Sequence, residues 1–450
     1  MPSDSAHRVT NRTRKSWMPP KFAAFVTLAL SLASSGHAQP RPAAIAEPQA
    51  QLVPTRARSA QAMVDSLGLV THLDYRNTPY GNLQNVTEAL KYLGVANLRD
   101  MVPRSYRIPY ETLAGLGFKF DFVVRREAAN ELPETIRELE SFQTRHPGSV
   151  ASIEGLNEAN NWPAQYQGLT GFPAAVALQR DLYLATKGSK ELHDVPVYVM
   201  TLGGAGENDY RQLGDLSDFA DLGNAHIYFP RGSPPSSVWD SALALNRRST
   251  PRLALAVITE TGYTTAVKSE HRVDEDVQAK YLLTLIADAW AKNVPRLFVY
   301  ALIDDSTDYS DWTRGLGLYR FDWTPKPAAI AIHQLVRELM ATPEPKRISE
   351  PGSLRFQISS AEPGVQSILL QKGDGTFDLL IWREQKLWDG TALRPLPEQT
   401  THISLLLGGH HSHITITDPL TGKREQQASV AGRVEFDLSG YPLLVTIPSS

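Results

Sequence analysis

Between residues 67 and 303 the sequence alternates short apolar runs with amphipathic stretches, eight times over, and few folds accept that rhythm. The apolar runs fall at 67–73, 95–98, 118–124, 151–156, 197–201, 222–227, 253–259 and 296–303. Helical patterns occupy 83–92, 110–114, 133–144, 173–187, 238–246, 274–292 and 327–340. The clearest opens on Asp274, Glu275 and Asp276, carries Tyr281, Leu285 and Ala289 on one stripe and closes on Lys292, as the helix dipole favours. After the fifth run, 203–206 and 209–214 read as loop. Strands that are apolar on both faces and separated by helices form a covered parallel sheet. Eight of them in about 250 residues close most economically into an α/β fold, the (β/α)8 or TIM barrel, here expected over 65–344.

Beyond 345 the texture changes to period-2 alternation with turn pairs such as Gly408-Gly409 and Thr421-Gly422, so 345–450 reads as a small C-terminal antiparallel, β-sandwich-like accessory domain. The runs 367–371 and 377–382, either side of Lys372-Gly373-Asp374-Gly375, predict a hairpin. At the other end, Arg8, Arg12, Arg14, Lys15 and Lys21 precede an apolar run at 22–32 and small residues up to Ala38. This is the order of a cleavable secretory signal at 1–38, cut after Ala38, and the run is too short for a membrane span of about 20 residues. A secreted or periplasmic protein is expected. Residues 39–64, rich in Pro, Ala and Gln near their start, read as a linker or disordered arm.

Losing 1–38 removes five basic side chains and one acid, which takes the formal charge of −3 down by four, to −7. A mildly acidic surface argues against nucleic acid or anionic lipid as partner and suits a neutral polymer. Cys is absent, which excludes disulfides, thiolate metal ligands and a Cys nucleophile.

The fourth run ends on Asn157, Glu158, Asn160 and Asn161, and the seventh leads into Glu260 and then Thr261-Gly262. The two glutamates stand 102 positions apart, room for three βα units at roughly 30 to 40 residues each. All strands of such a barrel end on one face, so both carboxyl groups can meet there. A facing pair of carboxyls is the usual equipment for splitting a glycosidic bond, one protonating the leaving oxygen while the other attacks the sugar carbon. The charge of Glu260 is expected to raise the pKa of Glu158 until the sugar esterifies it. Asn157 suits a sugar hydroxyl. His226 and Tyr228 close the sixth run, where a phenol can orient Glu260, and Arg99 closes the second.

With Asn157-Glu158, His226-Ile227-Tyr228, Glu260 and Arg99 in that order, the chain resembles the retaining (β/α)8 glycoside hydrolases of clan A, family 39 in particular. The segment 315–329 is similar to that family's turn after strand eight, and the likeness spans roughly 65–342. It implies Glu158 as acid/base and Glu260 as nucleophile in hydrolysis of β-linkages of an oligo- or polysaccharide, with neither metal nor organic cofactor. One departure stands out: relatives often end strand eight on a Trp that floors the sugar site, whereas this chain has Tyr300 followed by Ala301-Leu302-Ile303-Asp304-Asp305.

Each sharp reading has a bland counterpart. Glu158 and Glu260 can be loop carboxylates, Arg99 a structural ion pair, His226 and Tyr228 strand caps. Glu154, on the same strand face as Glu158, is expected as a buried partner for an arginine. Trp162, next to Asn160-Asn161, is the aromatic best placed to bind sugar, with Tyr75, Trp312 and Trp323 behind it. Asp304 or Asp305 can take substrate hydroxyls, although the aspartates at 304–311 lack the Gly and Glu of an EF-hand. His410, His411 and His413 read as a solvated hairpin tip, and the glycines at 203–206 lack the Lys-Ser/Thr of a phosphate loop. The alternative functions are a non-catalytic carbohydrate-binding or envelope protein on a degenerate barrel, and a glycan-transferring enzyme.

Overall fold

A computed structural model describes residues 52–341, 350–409, 411 and 413–449; the expected signal, residues 39–51 and His410 lie outside the described residues. The eight apolar runs form eight parallel strands: Leu67–Val70, Asn97–Met101, Lys119–Val124, Val150–Leu156, Val197–Tyr198, Gly223–Tyr228, Ala256–Gly262 and Leu297–Val299. Each pairs with the next, the eighth pairs with the first, and the parallel bridge Tyr198↔Leu222 joins the fifth to the sixth. The sheet is thus a closed barrel. The seventh strand begins and ends three residues later than its apolar run, at Ala256 and Gly262, so Glu260 sits inside the strand rather than past its end.

Local rules account for the helices around it. Leu83–Leu93 starts where the Asn82 side-chain Oδ1 accepts from Asn85 N–H, buries Val86, Ala89, Leu90 and Leu93 on one stripe, and stops at Gly94 in the left-handed conformation. After the fifth strand, the residues expected as loop contain a helix at Glu207–Leu213. Asp209 looks loop-forming in sequence, but its carboxylate accepts from Gly206 N–H at 2.9 Å and so caps that helix.

Two large sheets make up most of the C-terminal domain, beside a two-stranded ribbon of Trp388–Asp389 and Arg394–Pro395. One runs Pro54–Arg56, Ser353–Ser360, Thr401–Leu407, Arg433–Leu438; the other runs Arg58–Ser59, Val365–Gln371, Phe377–Arg383, Leu443–Ile447, His413–Thr417, Arg424–Ala428. The predicted hairpin forms, with Gln371 opposite Phe377. Two expectations need correction. Residues 54–65 are not linker: Pro54–Arg56 and Arg58–Ser59 each add an edge strand to one of these sheets, and Ala60–Asp65 is a helix capped by Ser59. Short edge strands draw their order from partners far along the chain, so they carry little local signal. The histidines near 411 are not a hairpin tip either, since Thr401–Leu407 and His413–Thr417 belong to different sheets. His411 is buried there, its Nε2 3.3 Å from the Gly408 carbonyl oxygen.

The helix Glu275–Ala291 is buried on almost every side, because the β domain covers the face turned away from the barrel. Trp382 Nε1–H donates to Asp288 at 2.8 Å, Leu387 N–H donates to the Tyr281 hydroxyl at 2.8 Å, and Lys280 pairs with Glu398 at 2.5 Å. Burial, with the charge of Glu384, pushes Asp288 from an ordinary 3.8 up to about 7, against the pull of the Trp382 N–H. A carboxyl raised on folding stabilises the fold at low pH, and that contribution drains away as pH rises from 3.8 through about 7. Asp288→Asn keeps the acceptor for Trp382 and removes the titration. We expect it to flatten the pH dependence of the unfolding free energy from urea titrations in that window, by on the order of 1 kcal/mol per pH unit.

Candidate active site

Strand register assembles a polar layer inside the barrel. Arg99 on the second strand lies opposite Asp121 on the third, Asp121 lies opposite Ser152 on the fourth, and Glu154 follows two residues on. These side chains point inward, where water cannot reach them, so they must satisfy one another. Arg99 does most of this. Its Nε and Nη2 fork onto the Glu154 carboxylate, both at 2.8 Å, Nη1 donates to Glu260 at 2.6 Å, and Nη2 also donates to Asn157 Oδ1 at 2.8 Å. Glu154 is therefore the arginine's buried partner, as expected from its place on the strand.

Three carboxylates around one guanidinium leave two negative charges too many for a dry interior. Burial, then the charge of Glu154, push Asp121 far above the ordinary aspartate value. Burial pushes Glu154 upward too, but the charge and hydrogen bonds of Arg99 outweigh it and hold Glu154 below its usual value. Of the two, Asp121 is the carboxyl whose surroundings favour the protonated form. Ser152 donates to its Oδ1 at 2.7 Å, and Oδ2 has no donor, which suits an acid O–H.

Above this layer the sixth and seventh strands bring His226 level with Glu260. The Tyr228 hydroxyl donates to Glu260 Oε2 at 2.8 Å, so donors grip both oxygens of that carboxylate. His226 Nδ1 stands 3.0 Å from Glu158 Oε1 and 3.6 Å from Glu260 Oε2, between the two acids. Arg99 Nη2 approaches His226 Nε2 at 3.5 Å, so it is Nδ1 that faces the two acids. One oxygen of Glu158, one of Glu260 and a His226 nitrogen all fall within 4.8 Å of one another. Those three could ligate a cation, yet Arg99 already places a positive charge against Glu260.

Glu158 occupies a left-handed turn, φ 44°, an uncommon conformation for a residue with a side chain. Neighbours hold it there: Thr201 Oγ1 accepts from Glu158 N–H at 3.0 Å and the Thr201 carbonyl accepts from Ala159 N–H at 3.0 Å. Asn161 donates to Glu158 Oε2 at 3.0 Å. Burial pushes the Glu158 carboxyl upward, but the His226 hydrogen bond and charge, with Asn161 and Arg99, outweigh it and leave the group below its ordinary value. This reverses the expectation that Glu260 would raise it: a donor in contact wins over a second carboxylate across the gap.

Room for Glu158 comes from Gly203. A Cβ there would stand 2.3 Å from Glu158 Cδ and 2.5 Å from Asn161 Nδ2. Gly203→Ala should therefore displace the carboxyl and cut turnover by roughly 10²-fold, while the thermal midpoint, read by circular dichroism, stays within a few degrees of the parent.

Asn157 is in place, its Oδ1 taken by Arg99, which leaves its NH2 group for a ligand. Trp162 lies outside this hydrogen-bonded network, 55% exposed with the Arg126 guanidinium 5.7 Å from its ring. Tyr75 stacks on His72 at 4.6 Å, and His72 Nε2 lies 2.9 Å from the Tyr300 hydroxyl, so the strand-eight tyrosine is tied to the first strand's loop. Trp312 meets Tyr228 edge-on at 4.9 Å, whereas Trp323 packs near Tyr319. Asp304 is buried and pairs with Lys326 at 2.8 Å, and Asp305 pairs through Oδ1 with Arg314 at 2.8 Å.

No family model and no curated protein matches this sequence. Among solved structures the chain is similar to a family 39 glycoside hydrolase from the gut symbiont Bacteroides cellulosilyticus WH2, at 15% identity over 87% of this chain and 82% of that one, TM-score 0.58. It is also similar to the family 39 enzyme from Xanthomonas axonopodis pv. citri, at 12% identity over 88% of this chain and 95% of that one, TM-score 0.55. The fold is that of the family 39 glycoside hydrolases.

Proposed function

We propose that the protein is a retaining glycoside hydrolase that cleaves β-glycosidic bonds of an oligo- or polysaccharide, with Glu260 as nucleophile and Glu158 as acid/base. The observation that carries the reading is the 4.8 Å envelope enclosing oxygens of both glutamates. Retaining pairs stand about 5 to 5.5 Å apart, and inverting pairs need roughly 6.5 to 9.5 Å to admit a water. Glu260, oriented by Arg99 and Tyr228, attacks the anomeric carbon as Glu158 protonates the departing oxygen. Water then releases the sugar, with Glu158 taking its proton. A leaving oxygen seated against Glu158 Oε1 displaces His226 Nδ1 and so removes the contact that holds the carboxyl low. Asn157, Arg99, His226 and Tyr228 complete the site, and Trp162 serves as an outlying aromatic contact. Export is part of the proposal, on the signal-like residues 1–38; no helix among the described residues is long and apolar enough to cross a membrane.

A panel of bacterial exopolysaccharides and plant β-glycans, with product anomers followed by proton NMR, tests this: the first-formed sugar should be the β-anomer. First-formed α-anomer would refute retention. One observation favours the second reading, a non-catalytic sugar-binding protein: Glu158 is held low by His226 and Asn161, whereas an acid catalyst must hold a proton. Binding with no turnover anywhere between pH 4 and 8 would decide for it.

A further inference from the structure

The polar layer beneath the two glutamates holds one acid that neither half-reaction touches, Asp121. It is 1% exposed, and ionisable groups surround it: Arg99 on the second strand, Glu154 on the fourth and the Tyr198 phenol on the fifth, with Glu260 beyond Arg99. Its carboxyl is in hydrogen-bond contact with that of Glu154. Two carboxyls make such a contact only when one carries a proton, since two carboxylates have no hydrogen to share. Both oxygens of Glu154 already accept from Arg99, Oε2 from Nε and Oε1 from Nη2, each at 2.8 Å. Asp121 Oδ1 accepts from Ser152 at 2.7 Å, and no donor reaches Oδ2. That oxygen has room for the hydrogen.

The charge count points the same way. Were Asp121 ionised, Arg99 would be shared among three carboxylates, two of them, Glu154 and Asp121, sealed from water, where attraction is strongest. The guanidinium would then be drawn down into the layer. With Asp121 neutral, Glu154 is the one permanent counterion of Arg99. Nη1 is left to serve Glu260, 2.6 Å away, whose charge vanishes while a sugar is esterified to it and returns on hydrolysis.

We propose that Asp121 is a positioning residue for the nucleophile: as a neutral acid it donates its O–H to Glu154, which keeps that carboxylate on Arg99 and Arg99 on Glu260. This deepens the hydrolase reading and rests on it for the role, while the proton on Asp121 needs no substrate to be detected. Burial, then the charge of Glu154, hold that proton in the native protein, whereas the unfolded chain releases it above the ordinary value of 3.8. A carboxyl raised on folding stabilises the native state below 3.8 and loses that contribution as pH rises. Asp121→Asn keeps a donor for Glu154 and an acceptor for Ser152, and it has no proton to lose.

Urea unfolding of the full chain, parent and Asp121→Asn, at several pH values from about 5 to 8 reads the proton. Steady-state kinetics on a glycoside that the parent hydrolyses, with Asp121→Leu added as a filler that lacks a donor, read the role. The unfolding constant of Asp121→Asn should lie below that of the parent, by a ratio that widens up to tenfold per pH unit, because the parent alone titrates there. Its kcat should stay within about threefold of the parent, whereas Asp121→Leu should lose roughly tenfold in kcat with KM little changed. Rescue by the amide separates a donor to Glu154 from filled space. Parallel pH curves for parent and Asp121→Asn overturn the proposal, and so does a parent-like kcat in Asp121→Leu. Should Asp121→Leu not fold, Asp121→Asn decides alone: diverging curves with kcat kept support the proposal, and a tenfold loss of kcat refutes it. Diverging curves in a protein that hydrolyses no glycoside would sink the hydrolase reading and leave the proton on Asp121 standing; turnover with parallel curves would do the reverse.

Discussion

Glu260→Gln is expected to abolish glycoside turnover, lowering kcat by on the order of 10⁴-fold or more, while the protein still folds and binds sugar. The amide cannot form the ester, so the loss falls on chemistry. The fold should tolerate it because Arg99 keeps its two hydrogen bonds to Glu154, which leaves the guanidinium compensated. Glu158→Gln should behave differently with the leaving group. A poor leaving group needs the proton and loses several orders of magnitude, whereas an aryl oxide with a low pKa departs unaided, so its first step is spared and glycosyl-enzyme accumulates on Glu260. Intact-mass spectrometry of Glu158→Gln reacted with an aryl glycoside checks this directly. An unmodified mass in a variant whose turnover is lost would refute the two-step assignment.

Arg99→Met should be the most destabilising single change in the barrel. Arg99 and Glu154 have side-chain exposures of 4% and 0%, and removing the cation strands Glu154 and Glu260 beside each other with nothing to balance them. Breaking a buried pair in this way costs about 3 to 5 kcal/mol. Adding Glu154→Gln to Arg99→Met should recover part of that loss, since the strongest uncompensated charge is gone. Activity should not return with it, because Glu260 still lacks the donor on Oε1. Denaturant midpoints and turnover of the single and double variants separate the two contributions; a double variant no more stable than Arg99→Met would contradict the charge-balance account.

Much of the barrel was legible because its signals are local. A parallel strand covered on both faces must be apolar along its length, and the helices between carry their own caps and stripes, as at Asn82 and Asp274. The glutamate pair was legible for a related reason: a carboxylate at the end of an apolar run has little structural use. Asp121 could have been found the same way, as a charge inside the run 118–124. Gly203 and Thr201 could not, since what makes them matter is contact with Glu158 from another strand. The edge strands at 54–59 escaped because their partners lie at 353–355 and 370–371.

Taken alone, the order of residues determined an eightfold strand–helix alternation, a β domain after it and two acids at the mouth of one barrel, since hydrophobic period and chain spacing are properties of a single chain segment. Tertiary structure decided the ionisation of those acids. Whether Glu158 is held low by His226, whether Asp121 keeps its proton and where the charge of Arg99 goes are set by contacts across strands, where donor distance and loss of water outweigh anything a residue's neighbours in sequence can impose.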